Sequence, residues 1–114
     1  MTEAVLRGSL VWVIFDPTQG REQRGTRPAL VVSSSRYLAS VRGLVIVVPI
    51  TSVDRGWPHH VLIRANTATL PKRSFAMTEQ PRTISRERLG QHAGSADEAT
   101  LAAVEQWLRD FIGL

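Results

Sequence analysis

The sequence predicts a mainly β fold with one C-terminal α-helix, and three observations carry that expectation. Short apolar, β-branched runs recur through residues 9–85. Pro, Gly and Asp punctuate them, as turns require. From Ser95 onward the apolar residues change to helical spacing. A strand-rich body followed by a helix fits a small, strongly bent antiparallel barrel or sheet with the helix packed on one side. A chain of 114 residues is read as a single domain, with a β body over 1–94 and a helix over 96–112.

SLVWVIF (9–15) is the first expected strand, stopped by Asp16-Pro17 because proline cannot extend a ladder. Trp12 lies within it and is read as core. ALVVSSS (29–35) is the second and starts after Pro28. LVIVVPI (44–50) is the third. Its unbroken apolar character implies that both faces are covered, and Pro49 implies an edge or bulge near its end. HVLIR (60–64) alternates as a short strand. SFAMTEQ (74–80) and RTIS (82–85) are one strand or two, split by Pro81. Ser95-Ala-Asp-Glu98 has capping-box spacing. Leu101, Val104, Leu108, Phe111 and Ile112 then mark one helical face, Trp107 borders it, and Gly113 provides the stop.

Composition narrows the class. With 43% hydrophobic and 21% charged residues the chain reads as an ordinary globular domain. No apolar run approaches the roughly 20 residues that span a bilayer. The start, MTEAVLRGSL, lacks a signal-peptide layout, so a cytoplasmic protein is expected. There is no cysteine, which excludes disulfides and thiol-based metal sites. Of 14 basic residues 13 are arginine, whose planar fork suits phosphate. Residues 1–94 hold 13 basic against 6 acidic groups, whereas 95–114 hold Arg109 against four acids. A polyanionic partner for the basic body is one explanation. Arginine used wherever a basic surface residue suffices is the other.

GREQRGTRP (20–28) is the most unusual stretch. It packs three arginines and Glu22 between two glycines and a proline, inside a long connection between strands. Long loops in compact domains tend to be functional. Arg27 precedes Pro28, so its backbone is biased to an extended conformation at the mouth of a strand. A charged loop in which Arg27 merely pairs with Glu22 is the alternative.

Several blocks together resemble the MazF/PemK family of toxin endoribonucleases. They are Arg7-Gly8, Asp16-Pro17, Gly20-x-Glu22-Gln23-x-Gly25-x-Arg27-Pro28, Pro49-Ile50-Thr51-Ser52, Glu79-Gln80-x-Arg82-Thr83-Ile84 and Arg88-Leu89-Gly90, followed by the helix. The resemblance implies an SH3-like, plasmid-maintenance-toxin antiparallel barrel and a homodimer holding single-stranded RNA in a groove at its interface. It implies metal-independent, sequence-specific cleavage to 2′,3′-cyclic phosphate and 5′-hydroxyl ends, which inhibits translation and growth. A cognate antitoxin, MazE-like or similar, is the implied protein partner. No cofactor and no membrane partner are expected. The family's catalytic pair falls on Arg27 and Thr51.

Those residue types suit the chemistry. Attack by a 2′-OH needs a proton acceptor, charge stabilisation at phosphorus and a donor for the leaving 5′-oxygen. Arg27 can offer two parallel hydrogen bonds to phosphate oxygens. Thr51 is a short, stiff hydroxyl donor, or else a simple strand-end hydroxyl. Glu22 is a candidate base, or it pairs with Arg24 or Arg27 and positions them. Arg21 and Arg24 are candidates for neighbouring phosphates or plain surface charge. Gln80 is the first candidate base reader because an amide carries paired donor and acceptor groups. Gln23, Ser52 and Arg82 are secondary RNA-binding candidates. Trp57 either stacks on a base or packs against the barrel or a second copy.

No metal site is expected. His59 and His60 are adjacent, and on a strand they would point to opposite faces, so they are read as surface or supporting residues. Two rivals remain open. One is a barrel that binds nucleic acid without cutting it. The other is a CcdB-like gyrase-inhibiting toxin, against which the Glu22-to-Pro28 loop argues.

Overall fold

The computed structural model describes residues 4–14, 26–68, 70 and 72–114. Its strands are β1 (Ser9–Ile14), β2 (Thr26–Val31), β3 (Leu44–Thr51), β4 (His60–Leu62), β5 (Ala65–Ala68), β6 (Phe75–Met77), β7 (Arg82–Ser85) and β8 (Leu89–Ala96). Helix α1 (Ser35–Ser40) follows β2, a 3₁₀ turn (Arg86–Arg88) precedes β8, and α2 (Glu98–Ile112) ends the fold. The strands form an eight-stranded sheet in the order β4-β6-β3-β2-β1-β8-β5, with β7 also on β3. Its pairings are antiparallel. The fold is therefore an open, barrel-like antiparallel sheet with a C-terminal helix, as expected.

Alternation along the strands sorts the core onto two faces. Leu10, Leu30, Val48, Ile50 and Ala76 share one cluster with Val104 of α2. Leu101, Leu108 and Trp12 pack against it, half-buried. Val11, Val13, Ala29, Val31, Val45, Val47 and Ile84 form the other cluster, with Leu38 of α1 beside them. β3 is thus covered on both sides, which explains its continuous apolar run. It also changes partners along its length: Leu44–Val47 pair with β7, and Ile50–Thr51 pair with β6.

Several elements differ from expectation. β2 begins at Thr26, so Pro28 lies inside it, opposite Trp12. The ladder to β3 starts only at Ala29, so the proline's missing N–H interrupts nothing on that side. α1 has no counterpart in the sequence reading because six residues are too short to show periodicity. Ser34 caps it by accepting from the Tyr37 N–H at 3.0 Å. β5 and β8 were not expected either. LGQHAGSA holds no β-branched or aromatic residue, and it is a strand because β1 and β5 flank it. That pairing claims Ser95, so the cap of α2 is Asp97, whose Oδ1 accepts from the Thr100 N–H at 2.8 Å.

The helix is seated by close contact. Gly8 has φ +95, and a Cβ there would lie 2.9 Å from Leu101 Cδ1. Arg7 pairs with Glu105 of α2. Thr100 accepts from the Arg64 N–H at 3.0 Å and donates to the Arg64 carbonyl at 3.1 Å. Gly113, at φ +86, closes α2 with its N–H on the Arg109 carbonyl at 2.8 Å. Among the described residues no helix is long and apolar enough to cross a membrane.

Candidate functional site

Arg27 is the second residue of β2 and is exposed. Thr51 ends β3 and is half-buried. Ala29 pairs with Pro49 at the end of the β2–β3 ladder, and Arg27 and Thr51 each lie two residues beyond that pair, on the same side of it. Alternation puts both on the face that carries Ala29, Val31 and Val47. Both flank the end of the same ladder, where an arginine and a hydroxyl can address one phosphate group. Arg82 pairs with Val47 and so stands on that face too, four residues back along β3, or roughly 13 Å. The Thr51 Oγ1 accepts from the Val53 N–H at 3.1 Å, which fixes the oxygen and leaves its proton to donate elsewhere.

Beyond Thr51 the chain runs through an exposed loop that orders itself. Asp54 accepts from the Gly56 N–H at 3.0 Å, and Gly56 adopts φ +71. The Arg55 guanidinium lies 5.5 Å over the Trp57 ring. Ser52 and Trp57 are both exposed on this loop. Trp57 packs on the protein as well: its ring stacks on His59 at 5.5 Å and meets His60 edge-on at 4.9 Å.

Gln80 belongs to a second group of residues. Thr51 stands opposite Phe75 of β6, while His60 stands opposite Met77 at the other end of that strand. Glu79 and Gln80 follow in the next turn. Gln80 Nε2 donates to Glu79 Oε2 at 3.2 Å, so the carboxylate holds the amide. Both Glu79 oxygens lie 3.1 Å from His60 Nε2. Burial pushes the Glu79 carboxyl up, but hydrogen bonds from His60, its own backbone N–H and Gln80, with the attraction of His60, leave it below its usual value.

The two histidines correct the sequence reading. His59 is in the turn after Pro58 and only His60 is in β4, so strand alternation does not separate them. Both Nε2 atoms converge on Glu79 Oε1, at 3.5 Å and 3.1 Å. His60 is moreover buried rather than on the surface. His59, His60 and Glu79 form a group able to hold a metal ion, the donor atoms lying within 4.8 Å of one another. The available signal was Pro58, a turn former directly before His59. Arg21, Glu22, Gln23 and Arg24 lie outside the described residues.

Comparison with known proteins places the chain in a family. A family model described as PemK-like, MazF-like toxin of type II toxin-antitoxin system matches residues 6–112. The chain is similar to Endoribonuclease MazF9 of Mycobacterium tuberculosis, 38% identical over 108 residues that cover 90% of this chain and 92% of the relative. It is similar to Endoribonuclease toxin MazF of Escherichia coli, 32% identical over 107 residues that cover 93% and 92%. Crystallised MazF from Deinococcus radiodurans has a TM-score of 0.79 at 32% identity, covering 99% of this chain and 100% of that one. A chain of the MazE–MazF complex from the same organism reaches 0.83 at 31% identity, covering 99% of each. With the matched region running from just before β1 through the last turn of α2, the chain belongs to the PemK-like, MazF-like toxin family of type II toxin–antitoxin systems.

Proposed function

We propose that this chain is a toxin endoribonuclease that cuts single-stranded RNA at short sequence motifs without a metal ion. The observation that carries the reading is Arg27 and Thr51 flanking the end of the β2–β3 ladder, in a chain matched to the family from residue 6 to 112. The 2′-oxygen attacks phosphorus and its proton passes to a base, for which Glu22 is the candidate. Arg27 binds the non-bridging oxygens as charge builds on them, and the Thr51 hydroxyl adds a donor. The bond from phosphorus to the 5′-oxygen breaks and that oxygen takes a proton. A 2′,3′-cyclic phosphate and a 5′-hydroxyl end remain.

Gln80, Ser52, Trp57 and Arg82, with Gln23, Arg21 and Arg24, supply candidate contacts to bases and phosphates. The enzyme acts as a homodimer in the cytoplasm and is neutralised by a cognate antitoxin, which the solved MazE–MazF complexes among its relatives support. The test is incubation with a mixed RNA pool in EDTA, with every new end mapped and Arg27→Ala as control. Cleavage by the wild type alone at one short motif, leaving 5′-hydroxyl ends, is expected. Intact RNA binding without cleavage would instead support a binding barrel. Neither binding nor cleavage would direct attention to gyrase.

A further inference from the structure

We infer that His59, His60 and Glu79 form a binding site for a first-row divalent transition ion, with Zn²⁺ the best match. The spacing carries the inference. Ligand atoms around tetrahedral zinc, at bond lengths near 2.0 Å, stand about 3.3 Å from one another. Here His60 Nε2 and His59 Nε2 lie 3.1 Å and 3.5 Å from Glu79 Oε1, and the whole set spans no more than 4.8 Å. A small rotation of His59 closes the remaining gap between the imidazoles. Its side chain is 25% exposed, which leaves a path for the ion and a fourth position for water. Two imidazoles and one carboxylate favour Zn²⁺, Ni²⁺ or Cu²⁺ over Mg²⁺.

The surroundings suit an ion. Trp57 stacks on His59, and Trp107 and Phe111 of α2 meet the same ring edge-on at 6.0 Å and 5.6 Å. An apolar shell of this kind limits solvent and orients the ligands. His60 Nδ1 is buried without a hydrogen-bond partner. With Nε2 on the metal the ring proton sits on Nδ1, and since that atom is unpaired in either state the ion creates no new orphan. Binding therefore moves the proton of each neutral imidazole from Nε2 to Nδ1. The bound ion ties the loop bearing Ser52 and Trp57 to Glu79-Gln80 and to the end of α2. It is an ordering site apart from the Arg27–Thr51 chemistry, and the inference does not depend on that chemistry.

Untagged, EDTA-stripped protein titrated with Zn²⁺ by calorimetry tests it. One ion per chain is expected, with affinity reduced about tenfold or more in His59→Ala and Glu79→Gln. His92→Ala, outside the cluster, should bind as the wild type does. Co²⁺ should quench the indole fluorescence of Trp57 and Trp107 in the wild type and not in His59→Ala. Equal affinity of wild type and His59→Ala, or no saturable binding by the wild type, would overturn the site.

Discussion

Both carboxylate oxygens of Glu79 lie 3.1 Å from Nε2 of the buried His60, and the same carboxylate anchors the Gln80 amide. A depressed carboxyl makes stability depend on pH with a definite sign. The contribution is fully present above the ordinary value of 4.5 and is lost as the pH falls through the lower value of the folded state. Glu79→Gln should therefore be less stable than wild type near neutrality and converge with it in acid. Urea unfolding at descending pH reads the difference. A gap that stays constant into acid would locate the acid sensitivity elsewhere.

Arg27→Ala and Thr51→Ala should each lower the cleavage rate by about 10²- to 10³-fold, the scale of one lost transition-state donor. Both residues sit at strand ends outside the two core clusters, so circular dichroism should be unchanged. Thr51→Ser, which keeps the hydroxyl, should retain more activity than Thr51→Ala. If a folded variant cleaves RNA at the wild-type rate, its residue has no catalytic role.

Gly8→Ala should destabilise by roughly 1–3 kcal/mol, the usual cost of a side chain held in the left-handed region. Its new Cβ also meets Leu101 Cδ1. Leu101→Ala in the same chain would relieve that contact but not the backbone strain. The double variant should thus recover only part of the interaction measured by thermal melting.

Thr100→Val preserves shape but leaves the Arg64 N–H without its partner, while the Arg64 carbonyl keeps the Asp97 N–H at 2.7 Å. An N–H deprived of its partner costs about 1–3 kcal/mol where water cannot replace it. Hydrogen exchange at the Arg64 amide should quicken in the variant. Unchanged exchange and unchanged melting would mean that solvent satisfies the Arg64 N–H.

The sequence was legible where one local rule decided the outcome. β1, β3 and β7 follow from β-branched apolar runs, and α2 from the spacing of Leu101, Val104 and Leu108. Arg27 and Thr51 were named together by a family pattern rather than through physics. Nothing in residues 20–28 or 49–52 alone says that these stretches meet.

What the sequence by itself determined is the alternation and periodicity that choose strand or helix, since those depend on neighbours along the chain. Tertiary structure decided the rest. β8 is a strand because two partners hydrogen-bond it, and Asp97 caps α2 because the sheet had taken Ser95. The pairing of Ala29 with Pro49 brings the strand ends that carry Arg27 and Thr51 together. A turn at Pro58 and His59, seen only against the end of β6, brings two adjacent imidazoles onto one carboxylate. In each case the deciding contact joins residues separated along the chain, and no local preference specifies it.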